Sequence, residues 1–252
     1  MSHLDAILLG IIQGITEWLP LSSEAQTMLV ATKVMGISPV NALSYAIFLH
    51  LGTMCAVLIK FRSEFVGMLT NLTSPLTTTV IIATICTGIS GVPLYYLMKG
   101  SLSTGVNVTL LIGILLIVTG ILLRYNTAGL KERDDLSTMD TVLLGLFQGA
   151  AILPGVSRSG VTTTYLLMKK VKQEAALTLS FIISVPAVIG AVIIDSGSTP
   201  INLPLASAMF FPSLIVGYLM IEGLITFARK VNFSWFCIVL GLVAISVTLW
   251  GI

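Results

Sequence analysis

The sequence has little charge. Only 10% of its 252 residues are charged and 56% are apolar, whereas soluble domains carry about 25% charged residues. This balance excludes an ordinary soluble domain and predicts a polytopic membrane protein. The formal net charge of +2 is also too small for nucleic-acid binding, which needs a concentrated basic surface.

Cysteine and histidine are scarce as well. The three cysteines lie far apart in apolar segments without metal-ligand spacing, so we expect buried free thiols. His3 lies near the N-terminus, and His50 lies within an apolar run. We interpret His50 as a hydrogen-bonded packing residue, with a role in proton or phosphate chemistry as the alternative. No basic run precedes the first apolar segment, so we expect no cleaved signal peptide.

Six apolar stretches are long enough to cross a bilayer as helices. They form two groups of three, at about 41–60, 78–98 and 106–124, and at about 175–194, 205–227 and 233–251. An apolar stretch broken by proline and polar residues precedes each group, at 4–35 and at 141–171. Backbone that is broken at membrane depth must be buried in protein. We therefore expect each broken stretch to form a re-entrant helical hairpin.

The two broken stretches resemble each other. Residues 8–14 (LLGIIQG) match residues 143–149 (LLGLFQG), a Leu-Pro pair follows in both, and Ser23 falls opposite Ser157. Several matches in register, at corresponding places in the two halves, indicate an internal repeat.

We therefore predict an all-α polytopic membrane protein that forms a single domain from two repeats. Repeat 1 covers about 1–124, repeat 2 covers about 141–252, and the polar stretch 125–140 joins them. Each half is a re-entrant hairpin plus three transmembrane helices. Because three is an odd number, the second hairpin enters from the opposite face. This makes an inverted-topology repeat whose hairpins meet near the bilayer midplane.

The basic residues are distributed asymmetrically in this topology. With Arg158 set aside, only Lys33 and Lys99 fall on one face. The other face holds Lys60, Arg62, Arg124, Lys131, Arg133, Lys169, Lys170, Lys172, Arg229 and Lys230. Cytoplasmic loops carry an excess of Lys and Arg. We therefore expect the 125–140 loop in the cytoplasm, and both termini and the first hairpin at the outer face of the plasma membrane.

The second hairpin breaks at Pro154 and Gly155, and Arg158 follows in apolar surroundings. An arginine at membrane depth is costly unless a group pairs with it. A helix that begins near Gly160 would present free N–H groups beside the guanidinium, and both bind phosphate. The predicted phosphate site consists of Ser157, Arg158, Ser159, Gly160 and Thr162. For Thr162 alone, a bond back to its own helix is the alternative.

The first hairpin carries Glu17 one helical turn after Gln13, so both point to one face. A carboxylate at membrane depth is either paired or functional. If the hairpins meet, Arg158 is its partner, as a structural ion pair or as part of one site. In the functional interpretation Glu17 acts as a base, or Glu17 and Gln13 hold Mg²⁺ or Ca²⁺, which suit carboxylate and phosphate oxygens.

Two serines, Ser22 and Ser23, follow the break in the first hairpin. Serine at such a place commonly caps the next helix. The alternative is a nucleophile for phosphoryl transfer that Glu17 or Glu24 activates.

Two long motifs in the chain resemble those of a known family. Residues 13–23 (QGITEWLPLSS) and 154–162 (PGVSRSGVT) look like the two motifs of the undecaprenyl-pyrophosphate phosphatase family, the bacitracin-resistance type. The order of the motifs and the hydrophobic layout match over essentially the whole chain. The resemblance implies a metal-dependent membrane enzyme, open to the outer face, that removes the terminal phosphate of a polyprenyl diphosphate. Its product would be the carrier lipid that cell-envelope synthesis recycles.

The resemblance also implies roles for single residues. Glu17 matches the essential acid and Ser23 the proposed nucleophile, and Gln13 stands where the family has Glu or Gln. The phosphate-binding set is matched by Ser157, Arg158 and Thr162. The remaining substrate-binding residues are predicted to be Ser22, Glu24, Gln26, Ser159 and Gly160.

The chain departs from the family after the paired serines. Where the family commonly has Thr-Gly-His, residues 24–26 are Glu-Ala-Gln, and Gln26 cannot act as an acid or base. Either Glu24 takes part of the histidine's role, or the histidine is dispensable, or catalysis is weak. The lipid could then also be another polyprenyl or dolichyl diphosphate.

A transporter or flippase for a polyprenyl phosphate is the alternative from another class. Inverted repeats with broken helices also build transporters, and the missing histidine suits a protein that only binds. The predicted partners are the polyprenyl diphosphate and membrane lipids, and a homodimer is left open beside a monomer.

Overall fold

The computed structural model describes residues 1–104, 107–125, 131–230 and 234–249, most of which are helical. The α-helices of the described chain are α1 His3–Thr16, α2 Ser23–Leu29, α3 Pro39–Lys60, α4 Arg62–Thr70, α5 Pro75–Ser103, α6 Val108–Leu122, α7 Thr138–Gly149, α8 Arg158–Met168, α9 Gln173–Asp195, α10 Leu203–Lys230 and α11 Ser234–Leu249. The all-α prediction is confirmed. Part of the predicted loop (126–130) and the end of the last predicted span (250–252) lie outside the described residues.

Both broken stretches have the predicted form of two short helices around a break. Residues 17–22 separate α1 from α2, and residues 150–157 separate α7 from α8. In the second break Gly155 has φ +111°, which L side chains rarely adopt. Ser157 then starts α8 as its N-cap, because its Oγ accepts a hydrogen bond from the Gly160 N–H at 3.2 Å.

The first helix of each hairpin packs against a long helix of the other half. α1 lies on α10, and α7 lies on α5. A Cβ added at Gly14 would lie 2.8 Å from the Gly217 nitrogen, and one at Gly149 would lie 2.7 Å from the Gly91 nitrogen. The matching glycines of the two segments therefore permit close backbone approach between helices. The inverted relation of the two halves stays a prediction.

Within the described residues, four helices are long and apolar enough to cross a membrane, namely α3, α5, α9 and the Leu203–Gly223 part of α10. They confirm the prediction of a multi-pass membrane protein. The other two predicted spans form shorter helices, since α6 has 15 residues and α11 has 16. These two pack against each other. The nine-residue α4, which has no buried residue, was not predicted.

The middle of the molecule is formed by α3 and α9, which pack together. The first hairpin contacts α3 through α1 and α2, and the second contacts α9 through α8. Phe181 of α9 is fully buried, and Trp18 from the first break meets its ring edge-on at a centroid distance of 5.3 Å. The central helices therefore supply side chains to both hairpin breaks. The three cysteines are free, as predicted, although Cys55 is only half-buried.

Candidate active site

The breaks of the two hairpins touch each other. The Gly155 N–H donates a hydrogen bond to Ser22 Oγ at 3.0 Å, and the Arg158 guanidinium pairs with the Glu17 carboxylate. Glu17 and Arg158 are 141 positions apart in the chain. The two hairpins therefore meet, and Arg158 is the partner of Glu17, as expected.

Glu17 lies at the centre of this contact and is buried. Its Oε1 accepts from Arg158 Nη2. Its Oε2 accepts from Ser23 Oγ at 2.6 Å and from Gln13 Nε2 at 3.0 Å. Several donors thus stabilise the carboxylate, as burial of a charge requires. Ser23 and Gln13 reach it because Ser23 begins α2 and Gln13 lies one turn earlier on α1.

The imidazole of His50 approaches the same two groups. His50 lies on α3, and its Nε2 is 3.3 Å from Glu17 Oε2 and 3.5 Å from Ser23 Oγ. Its Nδ1 is 2.7 Å from the Ala46 carbonyl oxygen on the preceding turn. The interpretation of His50 as a hydrogen-bonded residue holds, but its second nitrogen faces the polar site.

Arg158 is held from three sides. Its Nη1 donates to the Ser180 carbonyl oxygen at 3.2 Å, and its guanidinium lies over the Phe181 ring at 5.3 Å. The Glu17 pair takes the other arm of the guanidinium. A planar guanidinium held in this way is preorganised to receive a phosphate. Its side chain is 17% exposed, so an incoming group can reach it.

The other predicted phosphate residues fall into two sets. Ser157 and Ser159 line a small cavity with Arg158, and Gly160 lies in the first turn of α8. Thr162 lies behind Arg158, where its hydroxyl contacts the Arg158 carbonyl oxygen at 2.7 Å and Ser180 Oγ at 2.6 Å. The structure therefore shows the back-bonded alternative for Thr162.

The residues after the paired serines also point in different directions. Glu24 is buried, and its Oε1 has no hydrogen-bond partner within the described chain. Gln26 donates to the Leu21 carbonyl oxygen at 3.2 Å and lines neither of the two cavities described here. Gln13 lines neither of them and contacts the site only through Glu17.

Two cavities share the polar residues of the hairpin breaks. The smaller cavity, of about 30 Å³, is lined by Glu17, Ser22, Ser23 and the start of α8. The larger cavity, of about 240 Å³, runs between α5 and α9 and is mostly apolar along Gly88, Val92, Ala187 and Gly190. Glu24, His50 and Arg158 line both. The arrangement can hold a charged head group at one end and an apolar chain at the other.

The sequence interpretation missed Ser180 and gave His50 only a secondary role. Ser180 is an ordinary serine inside an apolar span, and its place behind Arg158 follows from the packing of α8 on α9. His50 carried one signal, as the single histidine of a transmembrane segment. Its position 27 residues from Ser23 did not indicate that the two would meet.

The molecule is thus a multi-pass membrane protein with a buried, ion-paired polar centre suited to phosphate. Residues 6–245 match the family described as bacitracin resistance protein BacA. An undecaprenyl-diphosphatase of Methanothrix thermoacetophila is 53% identical, over 98% of each chain. Those of Methanopyrus kandleri and Haloarcula marismortui are each 38% identical. The alignment with the Methanopyrus kandleri protein covers 97% of this chain and 95% of the relative, and that with the Haloarcula marismortui protein covers 94% of each. The chain belongs to the BacA family.

Proposed function

We propose that this protein is a membrane phosphatase that hydrolyses undecaprenyl diphosphate to the monophosphate carrier lipid and phosphate. The observation that carries the proposal is the convergence of Glu17, Ser23 and Arg158 on one cavity that adjoins an apolar one. A polyprenyl diphosphate has the matching shape, with a doubly charged head on a long apolar chain. The names of the relatives support the same substrate.

In this proposal Arg158 and the first N–H groups of α8 bind the terminal phosphoryl oxygens. Charge that builds on those oxygens in the transition state is stabilised by donors already fixed by Ser180 and Phe181. Ser23 is the nucleophile, since its hydroxyl already donates to Glu17. As phosphate engages Arg158, it competes with Glu17 for the guanidinium, which would leave the carboxylate free to orient Ser23.

A divalent cation, Mg²⁺ or Ca²⁺, is part of the proposal. No group of three His, Cys, Asp or Glu side chains in the described residues forms a metal cluster, so water and the substrate phosphates would supply most ligands, as is usual for Mg²⁺. Beside the predicted Glu17 and Gln13, Glu24 fits this role because its buried Oε1 has no partner in the described part of the chain. When bound, the cation would draw negative charge from the phosphoryl oxygens.

The site is proposed to open to the outer face of the plasma membrane. Two facts support this orientation. Lys60 pairs with Glu222, and Lys131 pairs through its backbone with Lys170 and Lys172, so each of these two contacts joins segments that are predicted to reach the cytoplasmic face. The larger cavity extends to Tyr95 on α5 and Ile194 on α9. Both residues lie towards the C-terminal ends of their helices, which are the ends predicted to face outside. Self-association as a homodimer stays a prediction.

The purified protein is expected to release phosphate from undecaprenyl diphosphate in detergent or liposomes when Mg²⁺ or Ca²⁺ is present. Chelation should abolish release, and adding the cation back should restore it, because the phosphate charge is otherwise poorly compensated. Inorganic phosphate is the measured product. Lipid binding without release at any cation concentration would favour the transporter alternative.

Narrowing the larger cavity should affect long lipids selectively. Gly190 lines the larger cavity, and a Cβ added there meets no atom within 4 Å, so Gly190→Leu is expected to narrow the cavity. We expect KM for undecaprenyl diphosphate to rise about tenfold, which corresponds to losing the burial of roughly two CH₂ groups. KM for a diphosphate with a farnesyl chain should change little. Gly100→Leu is the control, since Gly100 is equally open but lines neither cavity. Equal effects on both lipids would contradict this tail position.

A further inference from the structure

His50 is placed to move a proton at Ser23. Its Nδ1 lies 2.7 Å from the Ala46 carbonyl oxygen, which can only accept a hydrogen bond, so Nδ1 carries the hydrogen. The other nitrogen, Nε2, is then the atom that takes up or releases a proton. It faces Ser23 Oγ at 3.5 Å and Glu17 Oε2 at 3.3 Å.

The surroundings of His50 suit exchange of a proton with a substrate. Its side chain is 18% exposed and lines both cavities. The charged groups that face these cavities with it are Glu17 and Glu24 from the first hairpin and Arg158 from α8. Among the described residues that line the two cavities, it is the one imidazole.

Glu17 is less suited to hold this proton by itself. Its two oxygens already accept from Arg158, Gln13 and Ser23, and a carboxylate is intrinsically a weaker base than an imidazole. Its Oε2 is well placed, however, to stabilise an imidazolium at Nε2 through an ion pair. The two groups therefore complement each other around one serine.

We propose that His50 is a catalytic residue that accepts the Ser23 proton, and that Glu17 stabilises the resulting imidazolium. This inference rests on the proposed phosphatase function. Gln26 cannot act as an acid or base, and its side chain donates a hydrogen bond to the Leu21 carbonyl oxygen. His50 would supply the acid–base group that Gln26 lacks.

The proton and electron balance is complete with water as the co-reactant. Ser23 Oγ bonds to the terminal phosphorus, its proton moves to Nε2, and the bridging P–O bond breaks. The bond's electron pair leaves with the lipid monophosphate, which then takes the proton from Nε2. Water next attacks the phosphoserine and gives a proton to Nε2. That proton returns to Oγ as the P–Oγ bond breaks and phosphate departs.

The test compares His50→Gln and His50→Ala with the wild-type protein in the phosphate-release assay. Ser44→Ala is the control, because Ser44 is a buried residue of the same helix whose hydroxyl has no partner in the described chain. We expect kcat to fall about 100-fold or more in both His50 variants, the usual worth of a general base, while KM changes less than about threefold. Ser44→Ala should keep wild-type rates.

Two further readouts separate proton transfer from a structural role. Added imidazole should restore part of the activity of His50→Ala, because the vacated space opens to both cavities. The unfolding temperature of both His50 variants in detergent should stay close to that of the wild type, because the proposed role lies in the reaction and not in the packing of α3.

Three outcomes decide the matter. A wild-type protein that releases no phosphate overturns the proposed function, and the role of His50 with it. An active wild type with His50→Gln within threefold in kcat overturns the role of His50 alone. If both variants lose activity and thermal stability together and imidazole restores nothing, His50 is a structural residue, which also overturns the inference.

Discussion

Replacing Arg158 with alanine is expected to lower the rate of phosphate release about 1,000-fold, the upper range for losing a preorganised donor to a transition-state oxyanion. The guanidinium is fixed by Ser180 and Phe181 before substrate arrives, so it stays in place when phosphate displaces Glu17 from it. Arg158→Lys keeps the charge but loses the planar fork, and we expect an intermediate loss. Initial rates with undecaprenyl diphosphate measure both.

The matched control for Arg158 is Arg124→Ala. Arg124 is also an arginine stacked on an aromatic ring, 4.5 Å from the Trp235 centroid, but it lines neither cavity. Its removal should leave the rate within about twofold, as for surface positions away from a site. Undiminished release by Arg158→Ala would contradict the placement of the phosphate at this guanidinium.

Removing Glu17 should also stop the reaction and, in addition, reveal the cost of the buried ion pair. Glu17→Ala leaves Arg158, whose side chain is only 17% exposed, without its anion, and Arg158→Ala leaves the buried Glu17 without its cation. Breaking a buried pair from one side costs roughly 3–5 kcal/mol, while removing both partners costs far less than the sum. We therefore expect each single variant to be less stable than the double variant Glu17→Ala/Arg158→Ala.

The cycle is measured by unfolding the four proteins in detergent, and the phosphate-release assay accompanies it. All three variants should be inactive, with Glu17→Ala reduced about 1,000-fold because both the carboxylate and the orientation of Ser23 are lost. Additive losses of stability would mean that the two charges do not interact in solution, and the contact between the hairpins would need another explanation.

The Glu17–Arg158 pair could be predicted because each charge lies in an apolar segment, where an isolated charge is costly. The breaks in the hairpins could be predicted for a related reason. Pro154 and Gly155 interrupt a helix through the backbone itself, whatever the rest of the chain does. Both inferences depend on properties of a short stretch of sequence and on the surrounding hydrophobic medium.

The places of Thr162 and His50 could not be predicted in the same way. Thr162 is one turn after Arg158, which suggested a shared phosphate, but its side chain points to Ser180 behind the arginine. His50 lies on α3, and the rotation of that helix about its axis decides whether Nε2 faces lipid, protein or Ser23. That rotation is set by packing against α9 and the first hairpin. A short stretch of sequence does not indicate how its helix packs.

A multi-pass helical protein with two broken hairpins, and the buried charges that need partners, could be read from the amino-acid sequence. Hydropathy, proline and glycine act locally, so their effects are visible in the chain. The packing of the helices sets which polar groups share a cavity and places His50 beside Ser23. It also leaves Glu24 Oε1 there without a hydrogen-bond partner among the described residues. These features are not visible in the chain because side-chain direction depends on how helices rotate and cross when they pack.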